Sequence, residues 1–308
     1  MAAGYSVERG AVILAGGDGT RLSGLVHSVT GGNVPKQFCS LLGEVTLLER
    51  TRRRVEMAVA PKKILFVVNQ SHEQHYGPML GDVPKSNLVV QPENRGTAPA
   101  IALALLRMAA SDPDASVAIF PADHFLSDER EFMRHVEMAF EAVEERPELT
   151  VLLGIEPSHP EVDYGWIEPA QRISFGRYDL YRIASLCHKP DIDDAVRLLK
   201  CGGLWNSAVT VGRLSTVLGL IMVTAPELHS AFAPLRAKFP DQPTPRTVAN
   251  VYKDLPAIDF SEHILAATPV NLAALPVARV RWVNLAEPGR LRQTWNQLGI
   301  KPLWSIGS

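Results

Sequence analysis

Residues Ala11-Val12-Ile13-Leu14-Ala15, followed at once by Gly16-Gly17-Asp18-Gly19-Thr20-Arg21-Leu22, decide how the chain is read. A short apolar run ending in a glycine cluster reads as a strand buried on both faces. The glycines let the backbone approach a ligand closely, and their N–H groups can cradle phosphate oxygens. A plain tight turn also uses glycine. The spacing is neither the GxGxxG dinucleotide fingerprint nor the GK[ST] of a P-loop.

Working outward, residues 63–68, 87–90, 116–120 and 150–154 read as further strands, and 45–59, 97–110 and 128–145 as helices between them. This alternation predicts an α/β fold: a mixed, mostly parallel sheet with helices on both faces. Farther on, residues 178–187 read as a strand able to pair with 167–168 across a polar turn. Helices are expected over 192–200, 213–223 and 287–298, and strands over 271–275 and 279–283. The proline-rich stretch 233–246 reads as a surface loop, and the glycine-bearing 23–33 as a mobile one. In open α/β sheets ligands sit beyond the carboxyl ends of the strands, so the residues there are the candidates.

Composition sets the outer limits. A chain of 308 residues with a net charge of −2 fits one large α/β domain and not a strongly basic nucleic-acid binder. Its 46% hydrophobic and 21% charged residues are ordinary for a globular protein. Cys39, Cys187 and Cys201 share no metal-like spacing and fit a reduced, cytoplasmic protein, with Cys39 and Cys187 expected to be buried thiols. Residues 1–10 carry no apolar signal core, and no run approaches the ~18 residues of a membrane span.

Arg21 and Lys36, the latter in Val34-Pro35-Lys36-Gln37-Phe38, together have the charge to neutralise a triphosphate. With the glycines they form GGxGTRL…PKQ, a signature similar to that of the sugar nucleotidyltransferases. Six further segments continue the resemblance in one order: Gln91 to Ile101 (QPENRGTAPAI), Phe120 to Phe125 (FPADHF), Tyr164 to Pro169 (YGWIEP), Leu204 to Ser207 (LWNS), Ala257 to Ser261 (AIDFS) and Trp282 to Arg290 (WVNLAEPGR). Over about residues 10–303 the chain resembles the mannose-1-phosphate guanylyltransferase branch of that family.

The resemblance implies a Rossmann-like nucleotidyltransferase fold as a single domain over 1–308, without the isomerase or β-helix extension of some relatives. It implies transfer of a nucleotidyl group from GTP to mannose-1-phosphate, giving GDP-mannose and pyrophosphate. Gly16, Gly17, Gly19 and Thr20 then line the triphosphate, Arg21 and Lys36 balance its charge, and Gln91, Gly96 and Thr97 lie on the base side. Asp123 is the first Mg²⁺ ligand, a role suited to a carboxylate at a strand's carboxyl end. Lys189 holds the sugar phosphate, Gly165, Glu168 and Asn206 approach the sugar, and Asp259 helps organise that face. A homodimer is compatible with the resemblance.

Three positions depart from the pattern. Asn284 stands where the family has a second Mg²⁺-ligating Asp, Ala286 where it has Gly, and His188 in His188-Lys189-Pro190 where it has Glu. These leave open the same chemistry on another nucleotide or sugar-1-phosphate, or a non-catalytic relative that binds a sugar nucleotide. A glycosyltransferase DxD fits poorly, because Asp112-Pro113-Asp114 reads as a turn before a strand.

Overall fold

A computed structural model describes residues 7–175, 178–236, 238–239 and 243–300. Its strands are β1 (Arg9–Leu14), β2 (Ile64–Asn69), β3 (Leu88–Gln91), β4 (Ser116–Pro121), β5 (His124–Leu126), β6 (Thr150–Ile155), β7 (Gly165–Phe175), β8 (Tyr178–His188), β9 (Leu204–Arg213), β10 (Leu272–Val277) and β11 (Trp282–Asn284). The helices are α1 (Ser23–Thr30), α2 (Leu47–Val55), α3 (Glu73–Met79), α4 (Thr97–Ala109), α5 (Glu129–Glu145), α6 (Ile192–Lys200), α7 (Leu214–Thr224), α8 (Pro226–Arg236), α9 (Pro245–Tyr252) and α10 (Pro288–Leu298).

Nine strands form one sheet in the order β3-β2-β1-β4-β9-β6-β10-β8-β7, and β5 pairs with β11 in a separate ribbon. The strands β3, β2, β1 and β4 are mutually parallel, as are β6 and β10, while β9 and β8 run against their neighbours. The sheet is therefore mixed, with most strands pointing one way. Along β1 the side chains alternate between two cores. Ala11 and Ile13 join α2, α3, α5 and α6 on one face, and Val12 joins α4, α7, α8 and α9 on the other. Two-sided burial is why this segment carries no polar residue between Ala11 and Ala15.

Helix α2 starts at Thr46, whose hydroxyl accepts the Glu49 N–H while the Glu49 carboxylate accepts the Thr46 N–H. This capping box sets the start at residue 47, later than the expected 45. Several other expectations need correction. Residues 23–30 form α1 and not a mobile loop: Leu22 and Val26 bury in a third cluster with Leu285, Leu291 and Trp295, and Gly31 ends the helix at φ 71°. The stretch 233–246 is helical at both ends, with Pro234 inside α8 and Pro245 in the first turn of α9; residues 237 and 240–242 lie outside the described residues. The last strand begins at Trp282 and not at 279, because Arg279 has φ 64°. Cys39 is buried as expected, but Cys187 is only half-buried.

Candidate active site

The parallel strands deliver the glycine loop, Gln91 and Asp123 to one edge of the sheet. There a pocket of about 350 Å³ is lined by Gly17, Asp18, Gly19, Thr20, Arg21 and Lys36 on one side and by Asn94, Asp123 and Ala286 on the other. Gly19 has φ 64°, a left-handed conformation that favours glycine and turns the chain back over Lys36. Gln37 is buried and donates to the carbonyls of Ala15 and Gly17 at 2.8 and 2.7 Å, fixing the loop's underside. Lys36 and Asp123 are in direct contact, Nζ to Oδ2 at 2.5 Å. Burial pushes the Asp123 carboxyl up, but opposing contacts led by the Lys36 charge outweigh it and hold it below its ordinary value. Burial pushes the His124 imidazole down to about 4, so it is uncharged at neutral pH. Arg21 is more exposed and reaches Glu287 at 3.3 Å.

The remaining residues expected on the nucleotide side are arranged beneath this surface. Gln91 is buried: its Oε1 accepts the Tyr252 hydroxyl at 3.3 Å, and a Cβ on Gly16 would lie 2.4 Å from its Nε2. It thus supports the loop from below and is not on the pocket wall. Gly96 has φ 85°, and a Cβ there would lie 2.4 Å from the Ile258 carbonyl oxygen. Thr97 opens α4, where its hydroxyl donates to Asp259 at 3.0 Å and accepts the Phe260 N–H at 2.7 Å. Gly96 and Thr97 therefore tie the pocket's rim to residues 258–260.

Asn284 lies opposite His124 in the β5–β11 ribbon, and His124 directly follows Asp123. The Asn284 Oδ1 is buried with no hydrogen-bond partner. An acceptor left without a donor is a chemistry that fits a hard cation such as Mg²⁺, with Asp123 and Asn284 as the residues that would hold it. Among the described residues no cluster of three His, Cys, Asp or Glu could hold a metal alone.

The sugar-side candidates gather elsewhere. Gly165, His188 and Asn206 line a pocket of about 90 Å³ where the β7–β8 hairpin meets β9. The Asn206 oxygen accepts the Ala208 N–H at 2.8 Å, which orients its amide. Lys189 is exposed and has φ 48°. Such backbone strain in a non-glycine residue clusters at ligand sites. Glu168 does not join this group: its carboxylate accepts from Ser185 at 2.8 Å and from Arg197 at 2.9 Å, binding β7 to β8 and α6.

Sequence reasoning missed three participants. Asp18 is bonded to Asn94 and faces His72 at 3.3 Å, which braces the loop across the pocket. Asn94 also accepts the Gly96 N–H. Both lie inside quoted motifs, so their polar character was the available signal. Arg54 is nearly fully buried and donates to the His124 carbonyl at 3.2 Å, beneath Asp123. Only the fold brings it there.

The nucleotidyl transferase family matches residues 10–230. The chain belongs to this family. The chain is 33% identical over 225 residues to mannose-1-phosphate guanylyltransferase RfbM of Salmonella typhimurium, covering 71% of this chain and 45% of that protein. It is 31% identical over 302 residues to a mannose-1-phosphate guanylyltransferase of Salmonella muenchen, covering 96% of this chain and 59% of the relative. The chain thus spans about half the length of the curated relatives it matches. A Thermus thermophilus structure described as a mannose-1-phosphate geranyltransferase superposes with a TM-score of 0.81 at 26% identity, covering 94% of this chain and 80% of that one. Among the described residues no helix is long and apolar enough to cross a membrane.

Proposed function

We propose that this nucleotidyltransferase moves a guanylyl group from GTP to mannose-1-phosphate, giving GDP-mannose and pyrophosphate. The observation that carries the reading is the meeting of the glycine loop, Arg21, Lys36 and Asp123 in one pocket at the strands' carboxyl edge. A phosphate oxygen of the sugar attacks the α-phosphorus, a P–O bond forms, and the bond to the β-phosphate oxygen breaks with pyrophosphate leaving. Such a reaction needs positioning and charge neutralisation more than covalent help from the protein.

The residues divide that task. The loop N–H groups and Gly19 approach the phosphates, and Arg21 turns from its exposed partner Glu287 to a phosphate oxygen. Lys36 exchanges its contact with Asp123 for one with phosphate. Asp18, Asp123, Arg21 and Lys36 sum to no net charge on the pocket wall, so a bound triphosphate calls for an additional cation. Mg²⁺ held by Asp123 and the Asn284 oxygen would supply that charge to the phosphoryl oxygens when bound. Neutral His124 adds no competing positive charge beside Asp123. Lys189 pairs with the sugar phosphate, and Asn206 and Gly165 face the sugar.

A second reading, sugar-nucleotide binding without turnover, is favoured by one observation: Asn284 brings no negative charge to the cation. The test is purified protein with Mg²⁺, each of the four nucleoside triphosphates and a panel of sugar-1-phosphates, followed by pyrophosphate release. GTP with mannose-1-phosphate is expected to be the fastest pair. Absence of pyrophosphate from every pair, with GDP-mannose still bound, would establish the second reading.

A further inference from the structure

We infer that Glu262 is the acidic residue that reads the sugar's hydroxyls in this chain, acting beside His188 in the sugar-side pocket. This inference rests on the proposed reading of the site and names a specificity residue within it.

Two carboxylates are expected near the sugar from the resemblance, and neither is present there. Residue 188 is a histidine, and Glu168 is committed to Ser185 and Arg197. A sugar pocket without an anionic acceptor would forgo the charge-assisted bonds that distinguish one hydroxyl pattern from another. The structure supplies a replacement from a different part of the chain. Among the described residues, Glu262 is the one carboxylate lining the pocket that Gly165, His188 and Asn206 also line.

Its position is fixed from below while its carboxylate stays free to bind. Asp259 caps the π-helical turn Phe260–Leu265 by accepting the Glu262 N–H at 2.9 Å, and its other oxygen is held by Thr97. The Glu262 side chain is 49% exposed, and its Oε2 lies 3.9 Å from Nε2 of His188. That separation leaves the carboxylate oxygens able to accept from a ligand. His188 can share a hydroxyl with Glu262 or orient it. A pocket of about 90 Å³ is too small for a whole hexose phosphate, so it takes one edge of the ring. Because Asp259 is bonded to Thr97, close in the chain to the pocket-lining Asn94, Glu262 is also placed relative to the nucleotide-side pocket.

The test uses Glu262→Gln, which keeps the side chain's shape and removes its charge. With wild-type turnover established, the variant is expected to raise KM for mannose-1-phosphate roughly 10- to 100-fold while KM for GTP stays within twofold. Deoxy analogues of mannose-1-phosphate locate the contact. For the analogue lacking the hydroxyl that Glu262 accepts, wild type and variant should have the same KM. A sugar KM unchanged within twofold, or equal losses for sugar and GTP, would overturn the inference. Calorimetric binding decides the matter separately if the wild type turns over no sugar-1-phosphate. Glu262→Gln should then weaken GDP-mannose and leave GDP unaffected, whereas equal affinities of the wild type for GDP-mannose and GDP would overturn it. Failure of turnover alone would count against the proposed reaction and not against Glu262.

Discussion

The nucleotide-side and sugar-side pockets are built in opposite ways. The first sits at the ends of parallel strands buried on both faces. Its groups are locked by contacts that leave little room: Gln91 under Gly16, Ile258 against Gly96, Lys36 on Asp123. The second forms where an antiparallel hairpin crosses β9, with exposed His188 and Glu262 on its wall and exposed Lys189 next to His188 in the chain. On the proposed reading, a rigid cradle would suit a triphosphate, whose shape is constant, and an adjustable rim would suit a sugar, whose hydroxyl pattern the site would have to distinguish. The family departures fall accordingly: the loop motif is intact, while His188 alters the rim and Asn284 the ribbon beside Asp123.

The strongest way to break this contrast is Asp123→Asn. Removing the charge that Lys36 and a cation share should cut turnover by roughly a thousandfold, since metal-assisted charge stabilisation is worth several kcal/mol. A variant retaining a tenth of the wild-type rate would separate Asp123 from the chemistry. Next comes a pair of glycine substitutions. Gly96→Ala combines φ 85° with a Cβ 2.4 Å from a backbone oxygen, and should cost about 2–4 kcal/mol of stability. Gly165→Ala meets nothing nearer than 3.5 Å and has ordinary backbone geometry, so its denaturation midpoint should barely move. Equal midpoints for the two would mean that the nucleotide side is no tighter than the sugar side.

Lys189→Ala should raise KM for the sugar-1-phosphate about tenfold by removing a charge-assisted contact, without changing KM for GTP. A defect confined to GTP would place this lysine on the other pocket. The smallest expected effect sharpens the comparison at the ribbon. Asn284→Asp should lower the Mg²⁺ concentration for half-maximal rate by several-fold, because a second carboxylate adds charge at nearly constant volume. Unchanged Mg²⁺ dependence would show that this side chain is not at the cation.

Much of the glycine-loop pocket's geometry was legible because its signals are local. A strand, a glycine turn and a charged residue follow one another in the chain, and Asp123 comes soon after the core strand residue Phe120. What sequence reading missed depends on contacts between distant segments. Glu168 is sequestered by Arg197, Glu262 joins the pocket of His188 and Asn206 on residues tied to Thr97, and Arg54 is buried beneath His124. Helix α1 was hidden because Gly24 and β-branched Val26 weaken its propensity; tertiary burial against α10 stabilises it instead. Proline was likewise a poor boundary marker in α8, where Pro234 falls in the last turn.

The central claim is that Asp123 and Lys36 serve a transfer from GTP to a sugar phosphate. It is tested most directly by pyrophosphate release with GTP, mannose-1-phosphate and a Mg²⁺ titration, run on wild type beside Asp123→Asn. The account predicts Mg²⁺-dependent release by the wild type and a near-complete loss in the variant. Release by both at similar rates, or by neither, would contradict it.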